Sequence, residues 1–133
     1  MIEKITIKNF KSLKNIELSL SNLNVLAGLN GSGKSSFIQS LLLLRQSFRN
    51  RPDDGIGLIL QDGELISLGS GKDVFYQYAG KDEKIELKFL VKNNVFEWCF
   101  DYKPNSDILP VNKKKITVLD LHPLTCLTAI FNI

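Results

Sequence analysis

The chain has 133 residues, 44% apolar and 23% charged, a make-up that suits one globular domain or part of one and excludes a low-complexity or disordered segment. Seventeen basic and fourteen acidic residues leave a net charge of +3, too mild to argue for nucleic acid by charge alone. Two cysteines, Cys99 and Cys126, and one histidine, His122, fall short of four soft ligands for a structural zinc site.

Ile5 and Ile7 alternate with Lys4, Thr6 and Lys8, so residues 2–8 predict a half-exposed strand. Asn9 to Asn15 reads as a polar turn, and Ile16, Leu18 and Leu20 predict a second strand. After Ser21-Asn22 comes an apolar run, Leu23-Asn24-Val25-Leu26-Ala27, read as a buried strand. Gly28-Leu29-Asn30-Gly31-Ser32-Gly33-Lys34-Ser35 then fits G-x-x-x-x-G-K-[ST], a phosphate-loop pattern. Phe37, Ile38, Leu41, Leu42, Leu44 and Phe48 follow at near-helical spacing, and Leu43 widens the apolar face, which predicts a helix covered on more than one side. Strand, glycine loop and helix in this order are the context that gives the pattern weight.

The spacing has a chemical reason. Inward-facing amides in a tight turn make a nest for an anion. Gly28, Gly31 and Gly33 reach dihedrals closed to other residues and clear side chains from the phosphates' path. The helix N-terminus adds free amides and a positive dipole end. Lys34 is placed to meet the β- and γ-phosphates, and the Ser35 hydroxyl to ligate Mg²⁺. Asn30, Ser32 and Ser36 are further candidate donors.

Pro52, Asp53, Asp54 and Gly55 mark a loop. Asp62-Gly63 between Leu58-Ile59-Leu60 and Leu65-Ile66 signals a hairpin, and Gly69-Ser70-Gly71 a flexible break. Ile85, Leu87, Phe89 and Val91 alternate with charged residues, Asn93-Asn94 turns, and Phe96, Trp98, Phe100 and Tyr102 form an aromatic stripe, giving a second hairpin. Such a stripe can stack nucleobases, but no Arg or Lys interleaves it, so core is the better reading. Cys99 in this pattern reads as an apolar filler. Pro104 to Pro110 reads as a loop, Lys113-Lys114-Lys115 as a solvated loop with a phosphate contact as the lesser alternative, and His122 as a loop residue before Pro123. The segment from Ile116 to Ile133 is apolar without a stop signal, which is expected of a chain cut short of its natural domain. There is no apolar leader after Met1 and no run long enough to span a bilayer, so a cytoplasmic protein with no membrane partner is expected.

The opening resembles the N-terminal lobe of an ABC-type ATPase head, of the SMC, RecF and OLD-like group rather than the transporters. Ile5-Thr6-Ile7-Lys8-Asn9-Phe10-Lys11-Ser12, Ile16-Glu17-Leu18 and Asn24 to Ser36 carry the resemblance. Leu41 to Ser47 and Asp62-Gly63-Glu64-Leu65 also look like bacterial ATPases of this type, some of which serve anti-phage defence. The resemblance is strong over residues 1–48, weaker to about 102, and absent over 103–133.

It implies a mixed α/β fold, an incomplete P-loop domain with a Walker A core over 1–48 and an antiparallel β layer with hairpins over 56–102. It implies ATP and Mg²⁺ as cofactors, Lys34 and Ser35 as the Walker A lysine and magnesium serine, and Lys11 and Ser12 at a strand end that approaches the nucleotide. Hydrolysis is then expected only from the complete protein, in which two heads sandwich two ATP molecules. Ile116-Thr117-Val118-Leu119-Asp120 looks like a Walker B strand, but Leu121 follows where glutamate is needed and no signature motif precedes it. Gln61 and Gln77 are candidates for the Q-loop glutamine, with a surface role the better reading of each. The alternative function is a non-hydrolysing, nucleotide-dependent module that docks a nuclease partner or DNA, in phage defence or DNA repair.

Overall fold

A computed structural model describes residues 1–50, 57–61 and 63–117. The loop at 51–56, Asp62 of the predicted Asp-Gly turn, the Walker B candidate beyond Thr117, His122, Cys126 and the apolar tail lie outside the described residues. The elements in chain order are β1 (Ile2–Phe10), β2 (Leu13–Ser19), α1 (Lys34–Asn50), β3 (Leu58–Ile59), α2 (Gly71–Val74), β4 (Ile85–Val91), β5 (Asn94–Phe100), β6 (Ile108–Leu109) and β7 (Val111–Thr117). Five strands form one antiparallel sheet in the order β2-β1-β4-β5-β7, and β3 pairs with β6 in a small second sheet.

The register follows from the period-2 patterns. Ile5 faces Leu18 and Phe89, Ile7 faces Ile16 and Leu87, and Phe89 faces Phe96, so one side of the sheet is continuously apolar. α1 covers that side: Phe37, Leu43 and Leu44 are buried in the same cluster as Ile5, Ile7, Leu87, Phe89, Phe96 and Trp98. Phe48 meets the Trp98 indole edge-on at a centroid distance of 5.2 Å. The aromatic stripe of the β4–β5 hairpin is therefore core, as its lack of interleaved cations suggested. The opposite side carries cross-strand charge. Lys4 meets Glu17 at 2.6 Å and Lys8 meets Glu86 at 2.8 Å, and the Glu86 hydrogen bond holds the Lys8 ammonium above its ordinary pKa.

Several expectations change. The run Leu23-Asn24-Val25-Leu26-Ala27 forms no strand and is not buried: Leu23 and Val25 are each 81% exposed. A strand buried on both faces needs neighbours on both sides, and the five-strand order offers none beside it. Leu58-Ile59 pairs with β6, inside the supposed Pro104–Pro110 loop, instead of with Leu65-Ile66. The Gln46 side chain makes the hairpin's missing link, donating to the carbonyls of Ile59 (2.7 Å) and Ile66 (3.0 Å) and accepting from the amides of Leu65 (3.2 Å) and Ile66 (2.9 Å). Gly69-Ser70-Gly71 is no flexible break: Ser70 caps α2, its amide and hydroxyl both donating to Asp73 Oδ2 at 2.8 Å. Lys113-Lys114-Lys115 lies on β7, exposed, at the sheet's edge, where lysines discourage edge-to-edge pairing.

Gln46 is buried, so its four hydrogen bonds have no easy substitute. Gln46→Leu keeps the volume and removes the polar atoms; it is expected to cost about 3 kcal/mol in urea unfolding, and a cost near zero would show that water replaces the amide. Hydrogen bonds from the Ser70 amide and then its hydroxyl hold Asp73 below the ordinary carboxylate range. A depressed folded-state pKa contributes stability that is complete above the unfolded value and is lost as pH falls through the folded one. Acid titration monitored by circular dichroism is therefore expected to show Asp73→Asn losing less stability below pH ~4 than the unaltered chain.

Candidate functional site

α1 begins at Lys34, and its first backbone hydrogen bond runs from the Phe37 amide to the Gly33 carbonyl (2.9 Å). The amides of Lys34, Ser35 and Ser36 thus have no helical acceptor and point out of the helix start. No acidic residue lies in the first turn, so nothing there neutralises the dipole's positive end.

Ahead of it the backbone turns at Gly31 (φ 82°) and Gly33 (φ 93°), both in the left-handed region. Gly33 is fixed twice over: a Cβ there would stand 2.5 Å from Leu13 Cδ2 and 3.4 Å from Ser12 Oγ. Its absence lets the loop lie against the start of β2. At Gly28 a Cβ would come within 2.9 Å of Ser32 Oγ. The Lys34 side chain folds back into this turn. Its ammonium donates to the carbonyls of Gly28 (2.7 Å) and Leu29 (2.7 Å) and to Ser32 Oγ (3.2 Å). Asn30, Gly31, Ser32 and Ser35 are exposed along the same rim, whereas Ser36 is buried beneath it.

Lys11, named from the resemblance alone, stands beside the same helix: its Nζ donates to Gln39 Oε1 at 2.9 Å, and Ser12 Oγ lies 3.0 Å from Ser36 Oγ. The structure thus brings Lys11 and Ser12 to the helix that carries Lys34 to Ser36. The Gln39 partner had no signal in the sequence, because its spacing from Lys11 means nothing until the β1–β2 turn is folded under α1. Gln61 and Gln77 are exposed and no described hydrogen bond ties either to the loop. A hollow of about 430 Å³ lies elsewhere, on the outer face of the sheet between Lys8, Lys88, Glu17, Glu86 and Glu97. Its lysines are outnumbered by carboxylates, so it does not suit an anion. Among the described residues no helix is long and apolar enough to cross a membrane, and no cluster of three or more His, Cys, Asp or Glu stands ready for a metal.

Comparison with known proteins agrees with this geometry. The family model described as AAA ATPase domain matches residues 1–125. The DNA replication and repair protein RecF of Cytophaga hutchinsonii is 36% identical over 110 residues, covering 80% of this chain and 27% of its own length. RecF of Halothermothrix orenii is 31% identical over 96 residues, covering 71% and 24%. RecF of Nitrosococcus oceani is 47% identical over 67 residues, covering 50% and 16%. The chain spans about a quarter of the length of the first two of these relatives. Taken with the glycine loop at the start of α1 and the antiparallel sheet behind it, the match shows that the chain belongs to the AAA ATPase domain family, with RecF-like relatives.

Proposed function

We propose that the chain is the Mg²⁺- and ATP-binding lobe of an SMC/RecF-like ATPase. The observation that carries this reading is the Lys34 ammonium held inside a loop of left-handed glycines at an acid-free helix start. The residues suit a nucleoside triphosphate. Gly31, at a left-handed φ, has open space where a side chain would stand, the amides of Lys34 to Ser36 supply donors, and Lys34 supplies the cation. In this reading Ser35, exposed at the helix start, holds Mg²⁺, and Lys11 lies near enough to the helix to approach the phosphates. Bound Mg²⁺ would neutralise charge on the phosphate oxygens.

Residues 1–48 carry the phosphate-binding loop in this proposal, and β1, β2, β4, β5 and β7 form the β layer that supports it. Phosphoryl transfer also needs an oriented water and charge stabilisation around the γ-phosphate. The described residues offer no acid at the loop, so hydrolysis is assigned to the complete protein, with two heads paired. DNA enters the proposal through the RecF relatives, which are DNA replication and repair proteins. The second reading is a non-hydrolysing module that docks a nuclease or DNA. The exposed Leu23, Val25 and Leu29 favour a docking role, while the aromatic hairpin is core and offers it no surface.

Titration calorimetry of the 133-residue chain is expected to show ATP binding that requires Mg²⁺ and is lost in Lys34→Ala; binding that survives this substitution would overturn the site. Gly33→Ala puts a methyl group into Leu13 at a left-handed φ. It is expected to abolish binding and cost at least ~1 kcal/mol in unfolding, and a variant that binds normally would show that the loop does not use this conformation. Steady turnover by the chain alone, lost in Lys34→Ala, would disprove the assignment of hydrolysis to the complete protein.

A further inference from the structure

The β1–β2 turn holds two non-glycine residues in the left-handed region, Asn9 at φ 56° and Lys11 at φ 51°. Such residues persist only where their surroundings over-determine them. The clamp on one side of the turn is explicit. The Lys11 amide donates to the Val74 carbonyl (2.7 Å), the Tyr76 amide donates to the Asn9 carbonyl (3.0 Å), and Phe10 forms a bridge with Phe75. Asn9 Nδ2 donates to the Lys84 carbonyl (3.0 Å) and is itself buried. The clamping segment is fixed in turn, since the amides of Gly71 and Lys72 donate to the carbonyls of Ser106 and Pro104.

The free side of this turn faces the glycine loop. Lys11 Nζ reaches Gln39, Ser12 Oγ meets Ser36 Oγ at 3.0 Å, and Leu13 with Ser12 fills the space where a Gly33 side chain would be. We propose that Ser12 is a positioning residue: the strained β1–β2 turn is a brace that transmits the rigidity of the antiparallel layer to the first turns of α1 and so sets the geometry of the phosphate loop. The proposal rests on the nucleotide reading of that loop. It explains why an exposed serine and an exposed rim are joined through a buried hydroxyl, that of Ser36, and why strain is tolerated at this turn. Ser12 itself touches no phosphate in this scheme; it acts through Ser36 and the packing at Gly33.

The test uses the full chain with Ser12→Ala and Ser12→Thr, and two readouts. The first is amide hydrogen exchange of residues 37–41, the first hydrogen-bonded amides of α1, without nucleotide. The second is Mg–ATP affinity by calorimetry. Loss of one hydrogen bond predicts about fivefold faster exchange at 37–41 and about fivefold weaker binding in Ser12→Ala. Exchange in the β4–β5 hairpin should be unchanged, and Ser12→Thr should restore both readouts. Exchange at 37–41 that matches the unaltered chain would overturn the proposal, as would faster exchange with undiminished affinity. If the unaltered chain binds no Mg–ATP, the nucleotide reading fails by itself, and the exchange readout still decides whether the brace exists.

Discussion

The burial of one helix face on one sheet face underlies everything else in this molecule. α1 is amphipathic, and its apolar stripe, Phe37 to Phe48, finds cover on the side of the sheet built by Ile5, Ile7, Leu87, Phe89, Phe96 and Trp98, with Leu58, Leu60 and Leu109 in the same cluster. Each of these large side chains contributes about 2 kcal/mol by leaving water, which no hydrogen bond in the glycine loop approaches. The helix is therefore anchored by its middle and C-terminal half. Gln46 and Ser47 add to that anchor, because the Gln46 amide and the Ser47 hydroxyl take up backbone groups of Ile59 and Ile66 that would otherwise be buried without partners. The N-terminal end, with its unsatisfied amides, is left projecting at the edge of the core, where an anion can reach it.

That arrangement separates two electrostatic environments. Outside the sheet, lysine and glutamate alternate across strands and neutralise each other pair by pair, as at Lys4–Glu17 and Lys8–Glu86. The first turn of α1 carries no carboxylate, and its ammonium, that of Lys34, is satisfied by loop carbonyls and a hydroxyl. A cation solvated only by neutral oxygens is the group that gains most from an arriving phosphate. The fold thus neutralises charge where it serves the sheet and leaves it open at the loop.

The segment Leu23–Leu29 stands apart from both environments. Its apolar side chains face solvent, and its backbone is held by the local turn of Ser21, Leu23 and Asn24 at one end and by the Lys34 ammonium on the Gly28 and Leu29 carbonyls at the other. Strand-forming composition becomes a strand only where another strand supplies the ladder.

Much of this was legible in the residues. Period-2 alternation specified β1, β4 and β5 and which of their faces would be buried, because a one-residue slip would put every Ile and Phe into water. The glycine loop and the helix after it were legible because local geometry, glycine dihedrals and 3.6-residue spacing suffice for both. The Leu23–Ala27 strand, the Leu65-Ile66 pairing and the flexible Gly69–Gly71 break were misread for one shared reason. Each depends on a partner remote in sequence: a neighbouring strand, the Gln46 amide, or the Ser106 and Pro104 carbonyls that hold α2. The sequence by itself determined the glycine loop, the helix after it and the apolar faces, since these are properties of residues within a turn or two of each other. Only the tertiary structure decided that Ser12 and Lys11 lie beneath the loop against Ser36 and Gln39, because a hydrogen bond across 24 or 28 residues exists only once the sheet and helix have packed.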